Sequence, residues 1–130
     1  MKVEVSDGEI LDKLSILEIK LDRIENVQKL ANIRKEYNTL KETIGEPPWY
    51  EHVFRNYGFY WQLKEINETL WEIEDEIRIK EKKQEFDSQF IKLARLVYKT
   101  NDKRAQIKKE INIHTGSNLL EEKSYEDYDQ

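Results

Sequence analysis

The sequence predicts an all-α fold, a helical bundle of two antiparallel helical hairpins joined by an aromatic-rich loop, and three observations predict it. Of the 130 residues 38% are charged and 38% hydrophobic, with only four Gly and two Pro, the composition of long helices rather than of sheets. Apolar residues recur at alternating three- and four-residue steps in four separate stretches, the spacing that lines one face of a helix. Helix start and stop residues bracket those stretches. At this length one core is the default, so residues 1–117 read as a single helical domain and residues 118–130 as an acidic, flexible tail.

The first helix, residues 7–25, opens on Ser6 as N-cap with Glu9 three residues on, a capping box, and Val5 and Ile10 stand where a hydrophobic staple needs them. Its seam is Ile10, Leu14, Leu17, Leu21 and Ile24. Ile16 and Ile19 fall on the other side at ~100° per residue and call for a second partner, either the folded-back aromatic segment or a second copy of the chain. A homodimer is expected, because isologous dimers are the common solution for thin helical units. Asn26 caps the second helix, residues 27–44, whose seam of Leu30, Ile33, Tyr37, Leu40 and Ile44 stops at Gly45 before Pro47 and Pro48. The short connection makes these two helices an antiparallel hairpin.

Seven of the fourteen aromatic residues fall between Trp49 and Trp61. Such a cluster is a binding surface or a packing plug. Only Arg55 and His52 accompany the rings, and a stacking platform for nucleic acid needs a positive groove, so a mini-core is expected. Trp49, Phe54, Phe59 and Trp61 are placed inside, and the hydroxyls of Tyr50, Tyr57 and Tyr60 toward water. The third helix, residues 59–82, carries Phe59, Leu63, Ile66, Leu70, Ile73 and Ile77 as its seam. Asp87 or Ser88 caps the fourth, residues 88–115, which runs from Phe90, Leu93, Ala94 and Val97 to Ile111 and ends at Gly116. At 1.5 Å per residue the first two helices are roughly 25 to 30 Å long and the fourth roughly 40 Å. The second hairpin therefore overhangs the first.

No apolar run approaches the ~20 residues of a membrane span, and Met1 to Gly8 lacks the basic-then-apolar pattern of a signal peptide, so a cytoplasmic protein is expected. The absence of Cys removes disulfides and thiolate chemistry together. Net charge is −5 but segregated. Glu121, Glu122, Glu126, Asp127 and Asp129 face only Lys123 in the tail, whereas Ile91 to Lys109 is a basic stretch that the tail could cover in cis.

Polar residues interrupt the core-facing stripe of the fourth helix at Asn101, Arg104 and Lys108. They lie either in the solvated overhang, or in a polar pocket where Asn101 donates and accepts, Arg104 and Lys108 fix an anion, and Tyr98 forms a wall. Trp71, Glu74 and Arg78 share a face of the third helix, either as a half-buried Trp beside an ordinary i,i+4 ion pair or as the opposite wall of that cleft. Glu65, Glu68, Glu72 and Asp75 form a row that points away from the seam, unlike the inward carboxylates of di-metal bundles. With two His, at 52 and 114, no metal and no cofactor are expected. No serine sits in a nucleophile context and no glycine-rich phosphate loop occurs, so no catalytic residue is assigned. Lys92, Arg95, Lys99 and Lys103 form an outer basic stripe, but the acidic whole and the lack of a groove-reading motif argue against nucleic acid as a partner.

The segments V-E-V-S-D-G-E-I-L-D-K-L-S-I-L-E-I-K from Val3 to Lys20, L-W-E-I-E-D-E-I-R from Leu70 to Arg78, Y-K-T-N-D-K-R from Tyr98 to Arg104 and E-E-K-S-Y from Glu121 to Tyr125 resemble, in that order, a family of small bacterial and phage-type proteins known only as a domain of unknown function. The resemblance covers nearly the whole chain. It implies no established activity, and an association with sugar transfer and cell-envelope polysaccharide that would suit an accessory or partner-binding role. The family pattern tends to have proline where this chain has Val27. Lys13, Glu74, Arg78, Asn101, Asp102 and Arg104 lie inside these motifs, and with Trp71, Tyr98 and Lys108 they make up the expected ligand-binding set. The expected function is a binding or scaffolding module, with a protein partner or an anionic small molecule. The alternative is a small helical enzyme of the chorismate mutase type, in which Arg78, Arg104, Lys13 and Lys108 would point inward with Glu74 and Asn101 and stabilise a transition state electrostatically.

Overall fold

The structure, a computed structural model, describes residues 1–46, 51–55 and 58–129. Among the described residues four helices follow one another: α1 (Asp7–Arg23), α2 (Val27–Ile44), α3 (Phe59–Lys82) and α4 (Ser88–Thr115), with a 3-10 turn, Glu51–Val53, before α3. No strand occurs among the described residues. The caps are those the sequence offers. Ser6, Asn26 and Asp87 accept from the backbone N–H of Glu9, Lys29 and Phe90, while Gly45 and Gly116 carry the positive φ values of 71° and 69° that end α2 and α4. Helix α1 stops at Arg23, two residues short of expectation, because Ile24 is already extended to deliver Asn26 as the next cap. Glu9 does not close the capping box; its carboxylate is taken by Lys108 at 2.6 Å.

Helix α1 packs against α2, α3 and α4, and α3 packs against α4. The α1 helix is therefore the centre of the bundle, sandwiched between its own hairpin partner and the second hairpin. Leu11, Leu14, Ile44, Val53, Tyr60, Leu63 and Ile111 form the core. Ile19, one of the two isoleucines opposite the α1 seam, is 3% exposed within the single chain. The second partner it calls for is thus present without another copy.

Two expectations about α3 are corrected. Its buried residues are Tyr60, Leu63, Asn67 and Ile73, while Phe59, Ile66, Leu70 and Ile77 are only half-buried flanks. The face that meets the rest of the bundle keeps Leu63 and Ile73 and is shifted toward Tyr60 and Asn67. Tyr60 is consequently buried and Trp61, ~100° further round, is 41% exposed, the reverse of the expected arrangement. The Tyr60 hydroxyl donates to Glu18, and burial together with that bond holds its phenol far above the ordinary value. Trp61 donates its Nε1–H to the Phe54 carbonyl at 3.1 Å. Trp49, Tyr50 and Tyr57, as well as Pro47 and Pro48, lie outside the described residues.

The far end of the second hairpin, around the turn after Lys82, projects beyond the first. There Lys80 pairs with Glu85 and Asp87, Phe86 meets Phe90 edge-on, and Ile79, Phe86 and Ile91 are more than half exposed. Residues 118–129 have no regular structure and return along α4, where Tyr128 donates its hydroxyl to Asp102 and meets Tyr98 ring to edge at 5.3 Å. No helix among the described residues is long and apolar enough to cross a membrane.

Candidate functional site

The C-terminal half of α4 runs antiparallel to α1, and this places charge opposite charge: Asp12 meets Arg104, Glu9 meets Lys108, and Gly8 meets Asn112. The close approach depends on Gly8. Its N–H donates to Asn112 Oδ1 at 2.6 Å, and a Cβ there would stand 2.6 Å from the Lys108 carbonyl oxygen. Asp12 is 1% exposed. Its carboxylate accepts from both Nε, at 3.0 Å, and Nη2 of Arg104, the bidentate geometry that suits a guanidinium. Asn67 of α3 donates to the same carboxylate and to Ser15 Oγ, both at 2.8 Å, and Ser15 donates to the Asp12 carbonyl at 2.7 Å. Three helices are joined through one buried carboxylate. No buried side-chain polar atom among the described residues lacks a partner, as a low-dielectric network requires.

Arg104 thus spends one edge of its guanidinium on Asp12, which holds it above its ordinary pKa against the effect of burial. The rest of the side chain reaches a cavity of about 590 Å³ between α4 and the returning tail. Val97, Tyr98, Asn101, Asp102 and Ala105 of α4 line one side, and Lys123, Tyr125, Glu126 and Tyr128 the other. Lys108, 12% exposed, also faces it, with Asp12 at 3.8 Å and Glu121 at 3.6 Å. Glu121 accepts from Lys123 at 2.6 Å and is held below the ordinary carboxylate range by Lys123 first and Lys108 next.

Tyr98, Asn101, Asp102, Arg104 and Lys108 are therefore brought together, and the overhang is at the other end of α4. The remaining expected residues lie elsewhere. Lys13 is exposed and pairs with Glu36 of α2 at 3.2 Å. Glu74 and Arg78 form an exposed i,i+4 pair at 3.2 Å, and Trp71 has Arg23 5.9 Å from its ring centre. None of these four lines the cavity, so the four bases invoked for a mutase do not converge: only Arg104 and Lys108 share a site. His52 donates to the carbonyl of His114 at 2.6 Å and docks the 3-10 turn on the end of α4.

Asp12, Ser15 and Asn67 are not among the expected residues, and a signal exists for the first two. Gly8, Asp12, Ser15 and Ile19 recur at four, three and four residues, a second helical stripe with two small members that admits a neighbour closely. Lys123, Tyr125, Glu126 and Tyr128 escaped because a polar, helix-free segment carries no periodicity.

Fold and site define a small protein with four helices among its described residues, whose buried ion-pair network supports a tyrosine-lined cavity bounded on one side by residues 123–128. The chain belongs to a family of unknown function, DUF6165, whose model matches residues 1–128. No curated protein and no solved structure matches it.

Proposed function

We propose that this protein is a binding module whose cavity between α4 and the C-terminal segment takes an anionic, hydroxyl-rich small molecule. The observation that carries this reading is the composition of the wall: three tyrosines, Tyr98, Tyr125 and Tyr128, with Lys108 and Lys123 for an anion beside Arg104, and Asn101, Asp102 and Glu126 for hydroxyl groups. Its volume of about 590 Å³ falls within the roughly 300–1,000 Å³ usual for small-ligand sites. Arg104 is already committed to Asp12, and binding is the simpler use of the site. Such a ligand suits an accessory role beside enzymes of sugar transfer or cell-envelope polysaccharide, in the cytoplasm. Self-association, in this reading, uses the apolar tip formed by Ile79, Phe86 and Ile91.

A thermal-shift screen of sugar acids, sugar phosphates, sugar nucleotides and dicarboxylates tests the proposal. A ligand at 100 times its Kd adds about 2.7 kcal/mol of stability, and Tyr125→Ala, which removes an exposed wall residue, should weaken the hit at least several-fold. A melting point unmoved by every compound, or a hit indifferent to Tyr125, sinks the reading.

A further inference from the structure

Glu121 comes from the tail and reaches the two cations, Lys108 and Lys123, that the cavity offers to an anion. Glu121 does not itself line the cavity, but its carboxylate is an anion already paired with both lysines of the wall, tethered rather than diffusing. We propose that Glu121 is a built-in competitor, holding the place of the ligand's anionic group, and that the ligand which replaces it carries a single negative charge on a hydroxyl-bearing ring. This inference rests on the cavity being a binding site, as argued above.

Charge accounting selects the ligand class. The groups joined by ion pairs are Arg104, Lys108 and Lys123 on one side and Glu9, Asp12 and Glu121 on the other, so these six groups balance with Glu121 in place, Asp102 and Glu126 of the wall adding negative charge outside those pairs. When Glu121 turns out toward water, where its side chain is already 36% exposed, one positive charge is left over. A singly charged anion restores the balance of the six paired groups. A phosphate monoester dianion overshoots by one, in a space whose wall also holds Asp102 and Glu126, and unbalanced charge is felt more strongly where water is partly excluded. Those two carboxylates accept hydrogen bonds from hydroxyl groups, Asn101 donates or accepts, and tyrosine faces cover the apolar side of a ring. The class described is a sugar acid or a similar polyhydroxylated monocarboxylate.

Titration calorimetry of the full chain, Glu121→Gln and Glu122→Gln with glucuronate and with glucose 6-phosphate at pH 8 tests this, circular dichroism confirming that each variant is folded. Glutamine keeps the shape of residue 121 and removes its charge. Glucuronate should bind about fivefold more tightly to Glu121→Gln than to the unaltered chain, the scale of one partly exposed ion pair. It should bind Glu122→Gln unchanged, and bind all three proteins more tightly than glucose 6-phosphate does. Equal glucuronate affinity in the unaltered chain and Glu121→Gln overturns the competitor role while leaving the binding module standing. The same gain in Glu122→Gln, or tighter binding of the phosphate ester, overturns it as well. Absence of binding by both probes to every protein, up to 10 mM on the order of the weakest useful affinity, overturns this inference, and with it the thermal-shift screen decides the module itself.

Discussion

Asp12 is the residue on which the most other groups depend. Removing it leaves the Arg104 guanidinium half-buried without its carboxylate and strips Asn67 of an acceptor. Breaking a buried pair from one side typically costs about 3–5 kcal/mol, so Asp12→Ala should lower the unfolding free energy from urea titration by an amount in that range, with a matching fall in the midpoint, against less than about 1 kcal/mol for removing exposed Lys13 from its pair with Glu36. A midpoint as little changed as that of the Lys13 variant would show the network to be dispensable. At this scale the sequence revealed half of the site. Asn101, Arg104 and Lys108 were visible because polar residues break an apolar stripe. Their partner was not, because Asp12 beside Leu11 on a helix that already had one good seam looks like any solvated acid until a second helix is laid against it.

Helix boundaries were legible to within two residues, because caps are local: a side chain at position i meets an N–H at i+3, and Ser6, Asn26 and Asp87 do so. Helix faces were less legible, because a face is set by the neighbour. Helix α3 was expected to bury Phe59 and Ile66, yet Tyr60 and Asn67 turn inward, since α1 supplies Glu18, Asp12 and Ser15 as polar partners there. The crossing of α1 and α4 is likewise a property of the pair. Gly8→Ala puts a methyl group against the Lys108 carbonyl, a backbone atom that cannot rotate away. Overpacking of this kind costs about 1–3 kcal/mol, and calorimetric melting should show a matching loss. Enhanced stability, the usual result of Gly→Ala inside a helix, would mean that the two helices stand further apart.

Over the whole molecule, the sequence conveyed four helices and two hairpins but not their arrangement, in which α1 is central and the tail closes a cavity. Both depend on contacts far apart in the chain: Asp12 to Arg104 spans 92 residues, and Gly8 to Asn112 spans 104. Residues 1–46 contain α1 and α2 with good caps, but they lack every group that neutralises Asp12 or covers Ile19 from the second hairpin. A peptide of residues 1–46 should therefore be largely unfolded by far-UV circular dichroism at 25 °C, as short isolated helices are; helicity close to that of the same segment in the full chain would contradict the central position of α1. The buried Asp12 then bears on synthesis. The carboxylate leaves the ribosome some ninety residues before the guanidinium that makes its burial tolerable, so the first hairpin must wait, hydrated and exchanging, until α4 emerges. Cotranslational folding of this chain is in that respect a late and collective event, and an emerging chain that has not reached α4 is the form most exposed to proteases and chaperones.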